Sequence, residues 1–290
     1  MPEFLTTREV AELLRIKERK VYDLAASGSI PHTKAMGKLL FPRDGLHAWL
    51  AKSGIGDTVS AASRPTVFLG SHDPLLDWAL RESQCGIASW FDGSCDGLDR
   101  FEQAEGLACG LHLLDPASNV WNEPFVNPRF GHQHAVLVRW AKRQRGLIVS
   151  PALEQPPTGI ADLQNLTVAP RQPQSGAQNL FESLLEKAGL SAQELTMTPP
   201  VRTEVDAALA VLEGQAQVSF GLATLATQYR LPFVPIIEEQ FDILVDRRAW
   251  FDPPMQTFLN FCRSKAFQDR AARLTGYDIS AIGQVRYNAG

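Results

Sequence analysis

Residues 66–106 read TVFLGSHDPLLDWALRESQCGIASWFDGSCDGLDRFEQAEG, and this stretch decides the fold of most of the chain. Two short apolar runs, TVFLGS and CGIASW, have the length and composition of buried strands. The segments that follow them, PLLDWALRES and GLDRFEQAEG, carry apolar residues at helical spacing. This alternation of strands and helices predicts an α/β fold with a largely parallel sheet.

The same alternation continues to the end of the chain. We predict a strand over 107–114, a long loop rich in Pro and Asn over 115–133, and two separate strands at 134–140 and 146–151. Further strands are predicted at LTVAPR, AQVSFG, FVPII and FDILVD, with helices between and after them. Residues 65–290 are therefore predicted to form one α/β domain.

The composition limits the class of protein. The chain has 290 residues, of which 44% are hydrophobic and 21% charged, a globular composition that excludes a disordered chain. No apolar run approaches the ~18 residues of a membrane helix, and the first residues lack a signal-peptide core. The four cysteines show no CxxC spacing, so neither a disulfide framework nor a cysteine zinc site is expected. We predict a cytoplasmic protein without a membrane partner.

The charge is distributed unevenly along the chain. Residues 1–56 hold nine Lys/Arg and six Asp/Glu, a net charge of +3, whereas the remainder carries −7. A small basic head on a larger acidic body indicates two roles, one of which involves a polyanion.

The basic head, residues 1–52, has the pattern of a small helical domain. Thr6 and Glu9 have the spacing of a capping box at the start of a first helix. A second helix, predicted over 17–27, ends at Gly28. Met36-Gly37 marks a tight hairpin, and a last helix follows it. The small and polar residues 53–64 are predicted to be a linker.

Two short helices followed by a hairpin are the elements of a winged helix-turn-helix. The second helix would pack its apolar face on the first and leave its polar residues free to contact phosphates and base edges. The candidate DNA-binding residues are Lys17, Arg19, Lys20 and Tyr22 of this helix and Lys34 and Lys38 of the hairpin. The alternative is a small protein-interaction or dimerisation unit.

The head also resembles a known family, the excisionase/MerR-type winged helix-turn-helix. The positions that carry the resemblance are Leu5-Thr6, Glu9-Val10-Ala11, Leu13-Leu14, Gly28, Ile30-Pro31, Gly37-Lys38, Phe41 and Trp49-Leu50. The resemblance covers nearly the whole head and implies that it binds double-stranded DNA.

The body lacks the signatures of common catalytic sites. Gly93-Ser94 is not set in the G-x-S-x-G pattern of a hydrolase nucleophile, and neither a P-loop nor a G-x-G-x-x-G fingerprint occurs. His112, His132 and His134 have no carboxylate or cysteine at ligand spacing, which makes a partial metal site the weaker alternative. We predict no catalytic residues and no metal site.

Two predicted helix starts in the body are preceded by small polar residues. Ser94 precedes one helix, and Ser175 and Gly176 precede another, with Arg171 four residues before Ser175. Helix N-termini offer unpaired N–H groups to anions, and an arginine adds a charge-assisted partner. The alternative is that both serines are ordinary helix caps.

Residues 65–285 resemble the periplasmic-binding-protein-like domain that is fused to helix-turn-helix regulators. The segments that carry the resemblance are 70–76, 93–98, 112–115, 145–149, 162–163, 171–176 and 276–278. It implies a type II, molybdate-binding-like fold of two α/β lobes joined by two crossing strands, with the ligand in the cleft between them. By this resemblance the candidate effector-binding residues are Ser71, Ser94, Arg171, Ser175 and Gly176.

The resemblance also implies an effector class, because relatives are linked with molybdate, tungstate or molybdenum-cofactor metabolism. Trp90, Trp121 and Trp140 could stack on a pterin-like ring, or they belong to the core. Asp92 and Asp96 flank Ser94 and would oppose a small dianion unless they point away.

Together these observations predict a one-component transcriptional regulator without a covalent cofactor. It would bind DNA through residues 1–52 and a small anionic effector through residues 65–290. DNA sites are usually recognised by symmetric dimers, so a homodimer or higher even oligomer is expected. The alternatives are a solute-binding or accessory protein that does not bind DNA, and a lyase or transferase on the same two-lobed fold.

Overall fold

The computed structural model describes residues 4–14, 16–35, 37–43, 45–46, 49, 64–131 and 133–288. The chain forms two compact units, Met1–Ser63 and Arg64–Gly290. Most of the predicted linker over 53–64 lies outside the described residues. Its last residue, Arg64, belongs to the larger unit, since its Nη1 donates to the carbonyl oxygens of Phe101 (2.5 Å) and Gly106 (3.1 Å).

The described residues of the smaller unit form helices α1 and α2, a three-stranded antiparallel sheet and the start of a further helical segment. Its elements are β1 (Phe4–Thr6), α1 (Thr7–Leu14), α2 (Glu18–Ala26), β2 (Thr33–Ala35) and β3 (Lys38–Pro42). The strand order is β1-β3-β2, and β2 and β3 form the predicted hairpin. Arg43, Gly45, Leu46 and Trp49 are helical, and the rest of the predicted last helix lies outside the described residues.

Local signals set the helix ends of the smaller unit, whereas β1 depends on pairing. Thr6 N donates to Glu9 Oε2 at 2.7 Å, as the capping-box spacing predicts. Gly28 ends α2 with a φ of +66°, a conformation that costs glycine little. Strand β1 is not predicted from the sequence, because its three residues are too few to show an alternating pattern. They form a strand by pairing with β3.

The larger unit alternates strands and helices, as predicted. Its first half contains β4 (Val67–Gly70), α3 (Pro74–Glu82), β5 (Ala88–Trp90), α4 (Ser94–Glu102), β6 (Ala108–Leu111), β7 (Leu114–Asp115), β8 (Val120–Trp121), α5 (Glu123–Phe130) and β9 (Ala135–Val149). Its second half contains β10 (Thr167–Ala169), α6 (Gly176–Lys187), β11 (Thr196–Met197), α7 (Glu204–Leu212), β12 (Val218–Leu222), α8 (Ala223–Tyr229), β13 (Phe233–Asp246), α9 (Pro253–Cys262), α10 (Lys265–Ala271), β14 (Tyr277–Asp278) and β15 (Val285–Asn288). Among the described residues, no helix has the length and apolarity to span a bilayer.

Two long strands join two lobes. The main sheet has the order β11-β10-β12-β9-β13-β6-β4-β5. Strands β4, β5 and β6 run parallel in lobe 1, and β10, β11 and β12 run parallel in lobe 2. Strands β9 and β13 pair antiparallel with each other and continue from one lobe into the other, where β9 meets β12 and β13 meets β6. The fold is therefore two-lobed α/β, as the resemblance implies.

The crossing strands correct the prediction of separate short strands. Segments 134–140 and 146–151 belong to the single strand β9, and FVPII and FDILVD belong to β13. Their charged middle parts look like loops by composition, yet Arg143 and Arg145 are buried there. Paired charges replace the apolar pattern on which strand prediction depends.

The predicted loop over 115–133 is also wrong, because it contains β8 and α5. Pro124 lies in the first turn of α5, where a missing N–H costs nothing. Asn122 precedes this helix with a φ of +60°, and it is fully buried. Its side chain accepts from Leu113 N at 2.7 Å and donates to Asp242 at 2.8 Å. These non-local bonds fix a segment whose composition is typical of a loop.

Candidate functional site

The candidate DNA-binding residues of the smaller unit share one property, exposure. Val21 and Ala25 form the buried side of α2, while Arg19, Lys20 and Tyr22 face outward. Lys17 is exposed just before α2, and Lys34 and Lys38 are exposed in the hairpin strands. This exposure is what contact with phosphates and base edges requires. DNA contact by these six residues remains a prediction.

In the larger unit, the five candidate effector-binding residues lie together between the lobes. Ser71 follows β4, and Ser94 is the first residue of α4; their Oγ atoms lie 2.8 Å apart. Ser94 is not a helix cap, since Gly93 holds the N-cap position and Ser94 Oγ accepts from His112 N at 3.2 Å. The predicted start of this helix at 97 is therefore three residues too late.

Lobe 2 brings the other three residues to the same place. Ser175 caps α6 and accepts from Gln178 N at 3.1 Å. A Cβ on Gly176 would lie 3.0 Å from Ser94 Oγ of lobe 1, so glycine allows the close approach of the two lobes. Ser71, Arg171 and Ser175 line the cavity that remains between them. Their role in effector binding remains a prediction.

The lobes are closed on each other. The cavity has a volume of about 10 Å³, the space of a single water. Gln172 Nε2 donates to the carbonyl oxygen of Asp92 across the cleft at 2.8 Å, and Arg202 forms an ion pair with the Asp92 carboxylate. A Cβ on Gly93 would lie 2.6 Å from the carbonyl oxygen of Gln174. A ligand larger than water can enter only when the lobes separate.

A buried ion cluster begins in lobe 1 beside this cavity. Asp73 accepts from Trp140 Nε1 (3.0 Å), Arg143 Nη1 (2.8 Å) and the Tyr277 hydroxyl (2.6 Å). Arg143 Nη2 also lies 2.5 Å from Glu239 Oε1. The cluster therefore connects the start of α3 with both crossing strands.

The cluster continues through the crossing strands into lobe 2. Arg145 Nε donates to Glu239 at 2.7 Å, and its two terminal nitrogens donate to Glu204 at 2.8 and 3.2 Å. Arg171 Nη1 lies 2.9 Å from Glu204 and Arg171 Nη2 donates to the carbonyl oxygen of Arg202 at 2.7 Å. The ion pairs join three arginines to three carboxylates: Arg143, Arg145 and Arg171, and Asp73, Glu204 and Glu239. The cluster thus has no net charge.

Burial and pairing set the protonation states of the cleft. Burial alone would raise the pKa of Glu204, but Arg145 and Arg171 outweigh it and hold this pKa at about 2. Burial lowers the pKa of His72 and of His112, although neighbouring carboxylates oppose the shift. Neutral His112 donates from Nδ1 to Glu239 (3.1 Å), because the charged carboxylate can only accept.

Three buried nitrogens at the cavity lack hydrogen-bond partners within the described part of the chain: Arg171 Nε, His72 Nδ1 and Arg171 Nη1, the last of which forms the ion pair with Glu204. Arg171 is only 9% exposed. Buried polar atoms are satisfied in the great majority of cases, so an unsatisfied guanidinium N–H in a cleft is suited to a ligand oxygen. The serine hydroxyls add further donors.

The structure distinguishes between alternatives that the sequence leaves open for the tryptophans and the acids near the cleft. None of the three tryptophans lines the cavity; Trp121 and Trp140 are buried, and Trp90 stacks on Arg100 at 4.5 Å. The flanking acids are paired, Asp92 with Arg202 and Asp96 with Arg100. Neither therefore presents a free negative charge to an anion.

Sequence reasoning misses most of the residues around the cavity. His72, Phe91, Gln172 and Glu204 line it. His72 and Gln172 lie in segments that carry the family resemblance, but they were not singled out, and no motif identifies Phe91 or Glu204. His112 also lines it, although the sequence suggested it only as a weak metal ligand. Within the described ranges no group of His, Cys, Asp and Glu could hold a metal ion, and His132 lies outside them.

The chain matches two family models. Residues 4–54 match a helix-turn-helix domain, and residues 78–263 match a PBP superfamily domain. A curated relative, the uncharacterized protein YvgK of Bacillus subtilis (strain 168), is 23% identical over 299 residues, which cover 97% of this chain and 96% of YvgK.

Solved structures share the two-lobed fold. A putative phosphate ABC transporter substrate-binding protein with bound phosphate from Clostridium perfringens has a TM-score of 0.54 at 13% identity, over 73% of this chain and 98% of that one. PhnD1 from Prochlorococcus marinus (MIT 9301), in complex with methylphosphonate, has a TM-score of 0.50 at 10% identity, over 73% and 91%. At such identities the likeness concerns the fold alone. By its matched family model and its fold, the chain belongs to the PBP superfamily, and it carries a helix-turn-helix domain at its N-terminal end.

Proposed function

We propose that this protein is a one-component transcriptional regulator of the cytoplasm and not an enzyme. A helix-turn-helix domain and a two-lobed binding domain in one chain support this proposal. The smaller unit binds double-stranded DNA, and the cleft of the larger unit binds a small anionic effector. A homodimer places two such units on a symmetric DNA site.

One observation supports an anion at the cleft. Arg171 is buried at the cavity with an unsatisfied Nε, beside hydroxyls of Ser71 and Ser175. These donors suit a tetrahedral oxyanion. Because the ion cluster is neutral, the anion competes with Glu204 for Arg171, and lobe opening accompanies its entry.

Two groups of oxyanions are candidates for the effector. The family resemblance favours molybdate, tungstate or a molybdopterin-type ligand. Two solved structures of similar fold contain phosphate and methylphosphonate. Calorimetric titration of molybdate, tungstate, phosphate and methylphosphonate, with sulfate for comparison, separates the two groups.

Arg171→Ala tests the place of binding. A charge-assisted hydrogen bond contributes roughly 1.5–3 kcal/mol, so affinity for the bound oxyanion should fall by about tenfold or more. Arg81→Ala is the matched control, since Arg81 is exposed on α3 and pairs with Asp77. If Arg171→Ala and the parent bind the oxyanion with equal affinity, the cleft is not the binding site.

The second candidate function is that of a solute-binding or accessory protein of molybdenum-cofactor metabolism that does not bind DNA. The exposed Arg19 and Lys20 on α2 favour the regulator. An electrophoretic mobility shift with the double variant Arg19→Ala/Lys20→Ala distinguishes the two. If the protein is a regulator, the parent shifts the DNA and the double variant binds it more weakly. If it is an accessory protein, neither the parent nor the variant shifts the DNA.

A further inference from the structure

A second cavity lies in lobe 1, among residues different from those of the cleft. Its volume is about 230 Å³. It is bounded by β9, β13, α9 and the segment before β15, and its lining includes Trp140, Ile243, Trp250, Phe258, Leu259 and Arg263. We call it the lobe 1 cavity.

The lobe 1 cavity opens to the protein surface and is large enough to admit a ring system. An engineered apolar cavity of ~150 Å³ binds benzene. A space of about 230 Å³ therefore accommodates a substituted or bicyclic aromatic ring.

The walls of the lobe 1 cavity are mainly apolar. Trp140 Nε1 donates to Asp73, so the indole offers its hydrocarbon surface, and Phe258 stacks on it at 5.8 Å. Arg139 is buried and paired with Asp242 at 2.7 Å. Burial raises the pKa of the Cys262 thiol to about 12, so this thiol is uncharged. Such mainly apolar walls are suited to an aromatic ring.

The rim of the cavity carries one uncompensated positive charge. Arg263 is exposed and donates to the side chain of Asn260 at 3.2 Å. Within the described residues it has no carboxylate at ion-pair distance. The charge of Arg139 is balanced, so Arg263 gives the site its net charge of +1.

We propose that the lobe 1 cavity is a second small-molecule site, for an aromatic ligand that carries one anionic group. The ring lies against the wall formed by Trp140, Phe258 and Leu259, and the anionic group meets Arg263 at the rim. This site is independent of the cleft and of the regulator proposal.

The probes are 2-naphthoate and its neutral counterpart 2-naphthylmethanol, titrated by calorimetry into the full chain. With 13 heavy atoms at about 0.3 kcal/mol each, naphthoate should bind one to one with a dissociation constant of about 1 mM or tighter. Arg263→Gln should weaken naphthoate binding by about twofold to fivefold, the range for an exposed ion pair. It should leave binding of the alcohol unchanged.

Two further variants locate the site. Leu259→Trp fills the cavity and should weaken both probes at least tenfold, with circular dichroism showing that the chain is folded. Arg171→Ala, in the cleft, should leave both probes unchanged. Arg263→Gln leaves the cavity itself intact, so the test stands even where Leu259→Trp fails to fold.

Three results would overturn the proposal. The first is that neither probe binds the parent chain, and the second is that Arg263→Gln affects both probes equally. The third is that Leu259→Trp binds neither probe and also changes a dimer into a monomer by light scattering, which would assign the cavity to an interface between two copies.

Discussion

Replacing Glu239 by glutamine removes one of the three carboxylates that balance the buried arginines. Glu239 is fully buried and contacts Arg143 at 2.5 Å, Arg145 at 2.7 Å and His112 at 3.1 Å. Glutamine keeps the size of the side chain but leaves the cluster with an uncompensated positive charge. Breaking a buried ion pair in this way costs about 3–5 kcal/mol of unfolding free energy.

This loss of unfolding free energy lowers the melting temperature by a measurable amount. For a domain of 150–250 residues, a loss of 1 kcal/mol lowers the melting temperature by about 2–4 °C. The larger unit spans residues 64–290, so Glu239→Gln should melt about 6–20 °C below the parent.

The assay is thermal unfolding followed by tryptophan fluorescence, because five of the six tryptophans lie in the larger unit. Glu238→Gln is the matched control, since Glu238 is the neighbour of Glu239 on β13, is exposed and pairs with Lys142 at 2.8 Å. Exposed pairs contribute at most about 1 kcal/mol. The reasoning is refuted if Glu239→Gln melts within about 2 °C of the parent, or if Glu238→Gln melts as low.

Three further predictions concern closure, pH and assembly. Gly93→Ala should hold the lobes apart, because its Cβ would clash with lobe 2. Gly86→Ala is the control, since Gly86 also has a positive φ but a Cβ there meets nothing within 4 Å. Small-angle scattering should show a larger radius of gyration for Gly93→Ala alone. Burial lowers the pKa of His112, which is therefore neutral in the folded chain. Because the unfolded chain takes up a proton at this residue, the free energy of unfolding should fall as the pH drops below ~6.5. The free energy of unfolding of His112→Gln should fall less steeply with pH. Light scattering should give the mass of a dimer or a higher even oligomer, and a monomer that persists with DNA would contradict this expectation.

Local patterns predicted most elements and several cleft residues. The capping pair Thr6–Glu9 and the stop at Gly28 are set by neighbours in sequence, so a single sequence is enough to find them. Ser94 was found from its helix start, whereas Ser71 was a candidate through the family resemblance, which places cleft residues at strand ends.

Non-local pairing explains what the sequence could not predict. The length of β9 depends on the contacts of Arg143 and Arg145 with Glu239, a residue more than ninety positions away. Composition marks the same arginines as exposed. Glu204 was missed for the same reason, since only the approach of β9 buries it.

The proposed regulator must bind DNA. Fluorescence anisotropy of the full chain with duplexes from the region upstream of its own coding sequence should be measured at 50 and 200 mM salt. We predict tight binding at the lower salt and a loss of about 10³-fold or more at the higher salt, because a dimer with basic residues on both α2 helices releases many counterions. Absence of binding at 50 mM salt, or an affinity that is independent of salt, would contradict it.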